Sequence, residues 1–144
     1  MRINECMTRD VRMVDPDETL AKAALAMAEI DAGILPVAKD DRLVGMITDR
    51  DIAIRGVARG RGPDAKVGEV MSPEVKYCFI DDDAEDVLNN LAEIQVRRLP
   101  VLDRSKRLVG IVSIGDLAGN GEPVHVGEVL GEIARPSGQH SQTA

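Results

Sequence analysis

Aromatic residues are almost missing from this 144-residue chain, which has one Tyr, one Phe and no Trp. Its core must therefore be built from Val, Ile, Leu, Met and Ala. There are two cysteines, Cys6 and Cys78, with neither metal-ligand spacing nor a paired redox motif, which leaves buried or incidental thiols. The two histidines, His125 and His140, both fall in the C-terminal tail, so a His-based catalytic set has almost nothing to work with. Positive charge is also in deficit: the formal net charge of −7 counts against a nucleic-acid-binding face, though a local cluster of donors could still hold a small anion. No apolar run reaches the length of a membrane span and no signal-peptide core follows Met1, so no membrane contact and a cytoplasmic location are expected.

What the chain does contain is a repeat. Glu5-Cys6-Met7-Thr8 aligns with Glu69-Val70-Met71-Ser72, Ala28-Glu29-Ile30 with Ala92-Glu93-Ile94, and Leu35-Pro36-Val37 with Leu99-Pro100-Val101. After one extra residue in the second copy, Arg42-Leu43-Val44-Gly45 aligns with Arg107-Leu108-Val109-Gly110, and Asp51 with Asp116. Of the 49 pairs from Glu5 to Ala53, 16 are identical, which marks a duplication.

Each copy has the same pattern of elements. A helix over Thr19–Ile30 follows Asp15-Pro16-Asp17-Glu18, and its counterpart over Ala84–Val96 follows Asp81-Asp82-Asp83. Short apolar strands come next, Ile34–Val37 and Leu99–Leu102, with Pro at an edge position. Polar turns lead to second strands, Leu43–Thr48 and Leu108–Ser113, and second helices start at Asp49 and Ile114. The stretch Arg55–Pro63 reads as the connector. The expected organisation is residues 1–60 for the first repeat with its connector, 61–121 for the second, and 122–144 for a partly flexible tail. A unit of about 60 residues leaves one sheet face uncovered, and pairing with its twin would cover it.

Two motifs carry chemistry. Gly45-Met46-Ile47-Thr48-Asp49-Arg50-Asp51 and Gly110-Ile111-Val112-Ser113-Ile114-Gly115-Asp116 both place a hydroxyl three residues before a carboxylate at a strand-to-helix junction. This spacing is close to a capping box, and the same geometry suits the two hydroxyls of a ribose. Arg97 and Arg98, just before the second copy's first strand, suit phosphate oxygens or the end of the preceding helix. The first copy has Gly33-Ile34 there, so a phosphate site built this way is asymmetric; Arg50, Arg55, Arg59 and Arg61 are the nearest compensating cations.

The doubled pattern Met-[Thr/Ser] … Pro-Val … Leu-Val-Gly-x-x-[Thr/Ser]-x-x-Asp resembles a tandem pair of CBS domains, a Bateman module, over roughly Asn4–Leu117. The Asp49-Arg50-Asp51 and Gln95-Val96-Arg97-Arg98 forms are similar to stand-alone bacterial CBS-pair proteins. The resemblance implies an α/β (α+β) fold: two β-α-β-β-α repeats packed sheet to sheet with pseudo-two-fold symmetry, leaving two related clefts for adenosyl compounds. It assigns Thr48 with Asp51 and Ser113 with Asp116 to ribose, and Arg97, Arg98 and Arg50 to phosphate. It also implies that backbone around Val14, Leu35, Cys78 and Leu99 borders the adenine and that Tyr77 stacks on it. The implied protein is non-catalytic, with no metal and no catalytic cofactor. It is a regulatory sensor of AMP, ADP or ATP that forms a homodimer and signals to an effector protein. Because Gly33-Ile34 lacks basic side chains, one tight cleft and one weak or empty one are expected. The competing readings are a scaffold whose Thr48 and Ser113 motifs are only helix caps, and a thiol- or metal-responsive sensor using Cys6 or Cys78.

Overall fold

The computed structural model describes residues 1–118 and 123–134. In chain order it contains α1 (Leu20–Ile30), β1 (Ile34–Lys39), β2 (Arg42–Thr48), α2 (Asp49–Asp51), β3 (Cys78–Phe79), α3 (Ala84–Ile94), β4 (Arg98–Leu102), β5 (Leu108–Ser113), α4 (Ile114–Ala118) and α5 (Pro123–Ala134). It is a mixed helix-and-sheet fold, as the sequence pattern implies, with one two-stranded sheet (β1-β2) and one three-stranded sheet ordered β3-β4-β5.

The chain divides into two compact units, and each contains the leading segment of the other repeat. One unit joins Met1–Arg9 to Tyr77–Val101 and the chain from Val109 onward; the other joins Asp10–Lys76 to Leu102–Leu108. Below they are called the second-repeat unit and the first-repeat unit. The exchange is the same in both. Ile3 and Val67, equivalent in the repeat, are each fully buried in the core they join. The Ile3 amide donates to Asp82 O at 3.0 Å and the Val67 amide to Glu18 O at 2.8 Å, again equivalent positions. Each lead segment also pairs with a strand: Thr8 exchanges both backbone bonds with Ile111, and Ser72 with Met46, at 2.8–3.0 Å. Those bonds bring Met7 and Met71 so close to Gly110 and Gly45 that there is no room for a Cβ. One placed on Gly45 would lie 2.7 Å from Met71 Sδ and 2.8 Å from Ser72 O, and one on Gly110 2.7 Å from Met7 Sδ and 2.9 Å from Thr8 O. Only glycine permits that approach.

Within the first-repeat unit, Thr19 caps α1, its Oγ1 accepting from the Lys22 amide at 3.2 Å. Leu20, Ala23, Ala26 and Met27 form the buried stripe of α1 against Leu35, Val37 and Ile47 of the sheet. Burial of each large aliphatic side chain contributes roughly 1.5–3 kcal/mol relative to exposure. The β1-β2 hairpin turns on Asp40 and Asp41, both at positive φ (52° and 65°), the two-residue turn whose twist matches antiparallel strands. Pro36 fits in β1 because its carbonyl accepts from the Val14 amide at 3.1 Å while its missing N–H is not called upon.

The second-repeat unit repeats this plan. Asp83 caps α3 through the Glu85 amide at 2.8 Å, and Val87, Leu88 and Leu91 pack on Leu99, Val101 and Val112. The extra residue of the second copy falls in the β4-β5 turn, which belongs to the first-repeat unit; there Asp103 Oδ1 gathers the Ser105 and Arg107 amides at 2.9 Å each.

Two local expectations need correction, and the tail gains an element. Helical backbone does not stop at Arg55: a wide turn over Ile52–Gly56 and a tight one over Val57–Arg59 continue it until Gly60, whose φ of 79° ends it. The helix expected to reach Val96 ends at Ile94, because Gln95 takes the left-handed conformation at φ 55°. The first part of the expected tail is helix α5, which packs on α3 and receives the Gln95 side-chain amide at Glu132 O, 3.2 Å away. The flexible run expected over residues 136–142, with His140, lies outside the described residues, as does the side chain of His125.

Candidate functional site

The two strand-to-helix junctions have one geometry. At the first, the Thr48 amide donates to Asp51 Oδ2 at 3.0 Å and the Asp51 amide donates back to Thr48 Oγ1 at 2.9 Å. At the second, the Ser113 amide donates to Asp116 Oδ2 at 2.9 Å and the Asp116 amide to Ser113 Oγ at 3.2 Å. Each pair is a reciprocal capping box. All four residues are half-buried, and each hydroxyl and carboxylate is fixed by backbone. A carboxylate that spends one oxygen on an amide keeps lone pairs for further donors, and a ribose offers two hydroxyls.

A second shared bond ties each junction to the approach to its neighbouring strand. The Asp49 amide donates to Gly33 O at 2.9 Å, and the Ile114 amide donates to Arg97 O at 2.8 Å. Gly33 and Arg97 are thus structurally equivalent, as are Asp49 and Ile114. Arg97 and Arg98 are exposed, and among the described residues neither forms an ion pair. Arg50 is exposed beside Asp49, whose Oδ1 accepts from the Arg50 amide at 2.8 Å.

Val14, Leu35, Cys78 and Leu99, the residues expected at adenine, are buried, with side chains in the two cores. Only their backbone can meet a ligand. Leu35 stands one position along β1 from Ile34, which pairs directly with Thr48, so the first segment expected at adenine is held in register with the first hydroxyl. Tyr77 is 40% exposed, its ring edge-to-face with Phe79 at 5.6 Å between centroids. Tyr77 and Cys78 border a surface cavity of about 290 Å³ with Asp82, Asp83, Asp86, Val87 and Asn90; this cavity does not include Ser113 or Asp116. A second, apolar cavity of about 350 Å³ lies between α1 and the turns after α2, lined by Leu20, Ala21, Ala24, Ile52 and Val57 among others.

Sequence reasoning misses three features of the junctions. Asp49 reads as filler between Thr48 and Asp51, yet its carboxylate fills the space beside Gly33. Met7 and Met71 close over the junction glycines, and the strict Gly45/Gly110 match is the signal for that. Cys6 lies close enough to Asp116 to feel its charge: its thiol pKa is raised by burial first, then by Asp116 and Glu5. The Cys78 thiol is pushed up to about 12, by burial first and then by Asp82 and Cys6. Both are held as neutral thiols, unlike a reactive thiolate. Among the described residues no three His, Cys, Asp or Glu side chains converge as a metal site, and no helix is long and apolar enough to cross a membrane.

The CBS domain family model matches residues 3–56 and 67–120. The chain is 42% identical over 118 residues to a CBS domain-containing protein, YhcV, of Bacillus subtilis, covering 82% of this chain and 84% of that one. It is 44% identical over 116 residues to Hypoxic response protein 1 of Mycobacterium tuberculosis, covering 79% of this chain and 80% of that one. A crystal structure of Hypoxic Response Protein I with two coordinated zinc ions superposes with a TM-score of 0.76 at 41% identity, covering 85% of this chain and all of that one. The zinc belongs to that protein. CBSX2 in complex with AMP superposes with a TM-score of 0.72 at 26% identity, covering 82% of this chain and 93% of that one.

Proposed function

The chain belongs to the CBS domain family, and from that premise we propose that it is a non-catalytic regulatory module that senses an adenine nucleotide, with AMP, ADP or ATP as ligand. The observation that carries this reading is the duplicated hydroxyl–carboxylate pair, Thr48 with Asp51 and Ser113 with Asp116. A cap alone explains a hydroxyl and an acceptor. Both copies keep a half-buried carboxylate while the residues between hydroxyl and carboxylate change completely, which favours a shared role for the outer pair, and a ribose would use the same two groups. The AMP-bearing relative supports an adenosyl ligand for this fold.

In this reading Thr48, Asp51, Ser113 and Asp116 hold ribose hydroxyls. The backbone at Val14 and Leu35, or at Cys78 and Leu99, borders the adenine, Tyr77 offers a ring face, and Arg97 and Arg98 meet phosphate. Ligand binding acts by favouring one conformation over another, and only to the extent of its differential affinity for them. The signal passes to an effector protein in the cytoplasm. A homodimer presents the module, supported by large apolar side chains left exposed on the first-repeat unit: Leu25 at 59%, Ile54 at 48% and Val57 at 68%.

Thermal unfolding against AMP, ADP, ATP, NAD and S-adenosylmethionine, with GTP as control, tests the reading. A ligand at one hundred times its dissociation constant adds about 2.7 kcal/mol. For a domain of this size that is roughly 5 to 11 °C in midpoint. An adenine-specific shift supports the sensor. No shift with any compound would leave the aspartates as caps and give the scaffold reading the lead.

A further inference from the structure

The two junctions are alike in backbone and opposite in charge. In the first-repeat unit the equivalent pair is Gly33 and Asp49; in the second-repeat unit it is Arg97 and Ile114, closed by the same backbone bond at 2.9 and 2.8 Å. The exchange is steric as well as electrostatic. A Cβ on Gly33 would lie 2.9 Å from Asp49 Oδ2 and 3.2 Å from Asp49 Cγ, so the carboxylate occupies the space that a side chain at Gly33 would need. An arginine cannot stand at position 33 while Asp49 keeps this rotamer. At the other junction the carboxylate is replaced by the apolar Ile114, and the equivalent of Gly33 carries the guanidinium of Arg97.

Counted over the equivalent positions, Asp49 and Asp51 against Arg50 leave one negative charge beside Thr48. Arg97 and Arg98 against Asp116 leave one positive charge beside Ser113. Asp49 is exposed and among the described residues forms no ion pair, and its Oδ1 accepts from the Arg50 amide at 2.8 Å. A monophosphate brings about two negative charges and is attracted to one junction and repelled by the other.

We infer that the two sites select different adenosyl ligands by charge: the Ser113–Asp116 site takes phosphorylated adenosine, and the Thr48–Asp51 site takes an adenosyl compound without phosphate, neutral or cationic at the 5′ position. This rests on the nucleotide-binding reading and assigns a ligand class to each of its sites. The first-repeat site is then a differently tuned site, which replaces the expectation of a weak or empty copy.

Titration calorimetry with AMP and adenosine, on the full chain and on variants that each retain one site, tests the assignment. Asp116→Asn leaves the first-repeat site, and there adenosine should bind at least about tenfold tighter than AMP, the effect of making or losing one charge-assisted hydrogen bond. Asp51→Asn leaves the second-repeat site, where the order should reverse by a similar factor. Two variants with exposed substitutions that leave both caps intact give a readout independent of folding. Asp49→Asn should raise AMP affinity at the first-repeat site without changing adenosine, and Arg97→Gln with Arg98→Gln should lower AMP affinity at the other site without changing adenosine. The same AMP-to-adenosine ratio at both sites would overturn the charge assignment and leave the nucleotide reading standing. Binding of neither compound by the unsubstituted chain would overturn both.

Discussion

Asp51 and Thr48 hold each other twice, through the Thr48 amide on the Asp51 carboxylate at 3.0 Å and the Asp51 amide on the Thr48 hydroxyl at 2.9 Å. The arrangement recurs at Ser113 and Asp116, and it gives each aspartate two tasks that substitution can separate.

Asp51→Ala and Asp116→Ala remove an acceptor from a backbone amide, and each should cost about 1 kcal/mol in urea unfolding, the usual value of a cap. Asp51→Asn and Asp116→Asn keep an acceptor oxygen and should stay within about 0.5 kcal/mol of the parent protein. The asparagine variants nevertheless lose the charge that strengthens bonds from two ribose hydroxyls. Adenosine affinity in Asp51→Asn and AMP affinity in Asp116→Asn should fall at least about tenfold. Undiminished affinity in the asparagine variants would reduce the aspartates to caps.

Gly45 and Gly110 are predicted to be intolerant of even one methyl group. At both, a Cβ would come within 3 Å of a neighbouring carbonyl oxygen, Ser72 O or Thr8 O, and backbone cannot swing aside as a flexible side chain can. Gly45→Ala and Gly110→Ala should each lower stability by about 1–3 kcal/mol, the range for overpacking. Gly62→Ala is the control, since a Cβ there meets nothing within 4 Å, and its stability should hold or rise by up to about 1 kcal/mol. Chemical unfolding of the three variants side by side decides the matter.

Much of this is legible in the sequence because duplication doubles every signal. Thr48 with Asp51 alone is an ordinary cap pattern; repeated at Ser113 and Asp116 with different intervening residues, it marks a shared role for the outer pair. The helix starts at Thr19 and Asp83 and the turn at Asp40-Asp41 follow from local chemistry. The exchange of Ile3 and Val67 between units is hidden, because an isolated buried isoleucine or valine carries no label of which core it enters. Gln95 ending α3 is hidden as well, since a residue other than glycine or asparagine seldom takes the left-handed conformation. The meaning of Asp49 needs three dimensions: only the structure shows that its carboxylate, in this rotamer, fills the space beside Gly33.

The thiols should be silent at neutral pH. Cys78 is 3% exposed, and its pKa is raised from the ordinary 9.0 to about 12, chiefly by burial. It should resist a thiol reagent at pH 8 until the protein is unfolded, while the less buried Cys6 reacts slowly in the native state. The sign of the linkage follows. The folded state keeps the Cys78 proton that the unfolded chain gives up near pH 9, so this contribution is complete below pH 9 and is lost as pH rises from 9 toward 12. Unfolding free energy measured across that window should decline in the parent protein and decline less in Cys78→Ala. Equal slopes would show that Cys78 ionises as easily folded as unfolded.

The homodimer can be tested through the exposed apolar residues of the first-repeat unit. Ala21 and Leu25 are one turn apart on α1 and so share a face. Ala21 and Val57 line the same apolar cavity, and Leu25 and Val57 are 59% and 68% exposed. Isolated exposed leucines are common on protein surfaces, but apolar side chains grouped around an apolar cavity are the usual mark of an interaction surface. Sedimentation equilibrium of the parent protein should give twice the 15.5 kDa chain mass. Leu25→Glu and Val57→Glu each place a charge on that surface and should shift the mass to one chain. Because both side chains are already open to solvent in the single chain, the fold itself should lose no more than about 0.5 kcal/mol, read as an unchanged circular dichroism spectrum. A dimer that survives both substitutions would move the interface elsewhere on the molecule, and a parent protein that sediments as one chain would remove the homodimer from the proposed function.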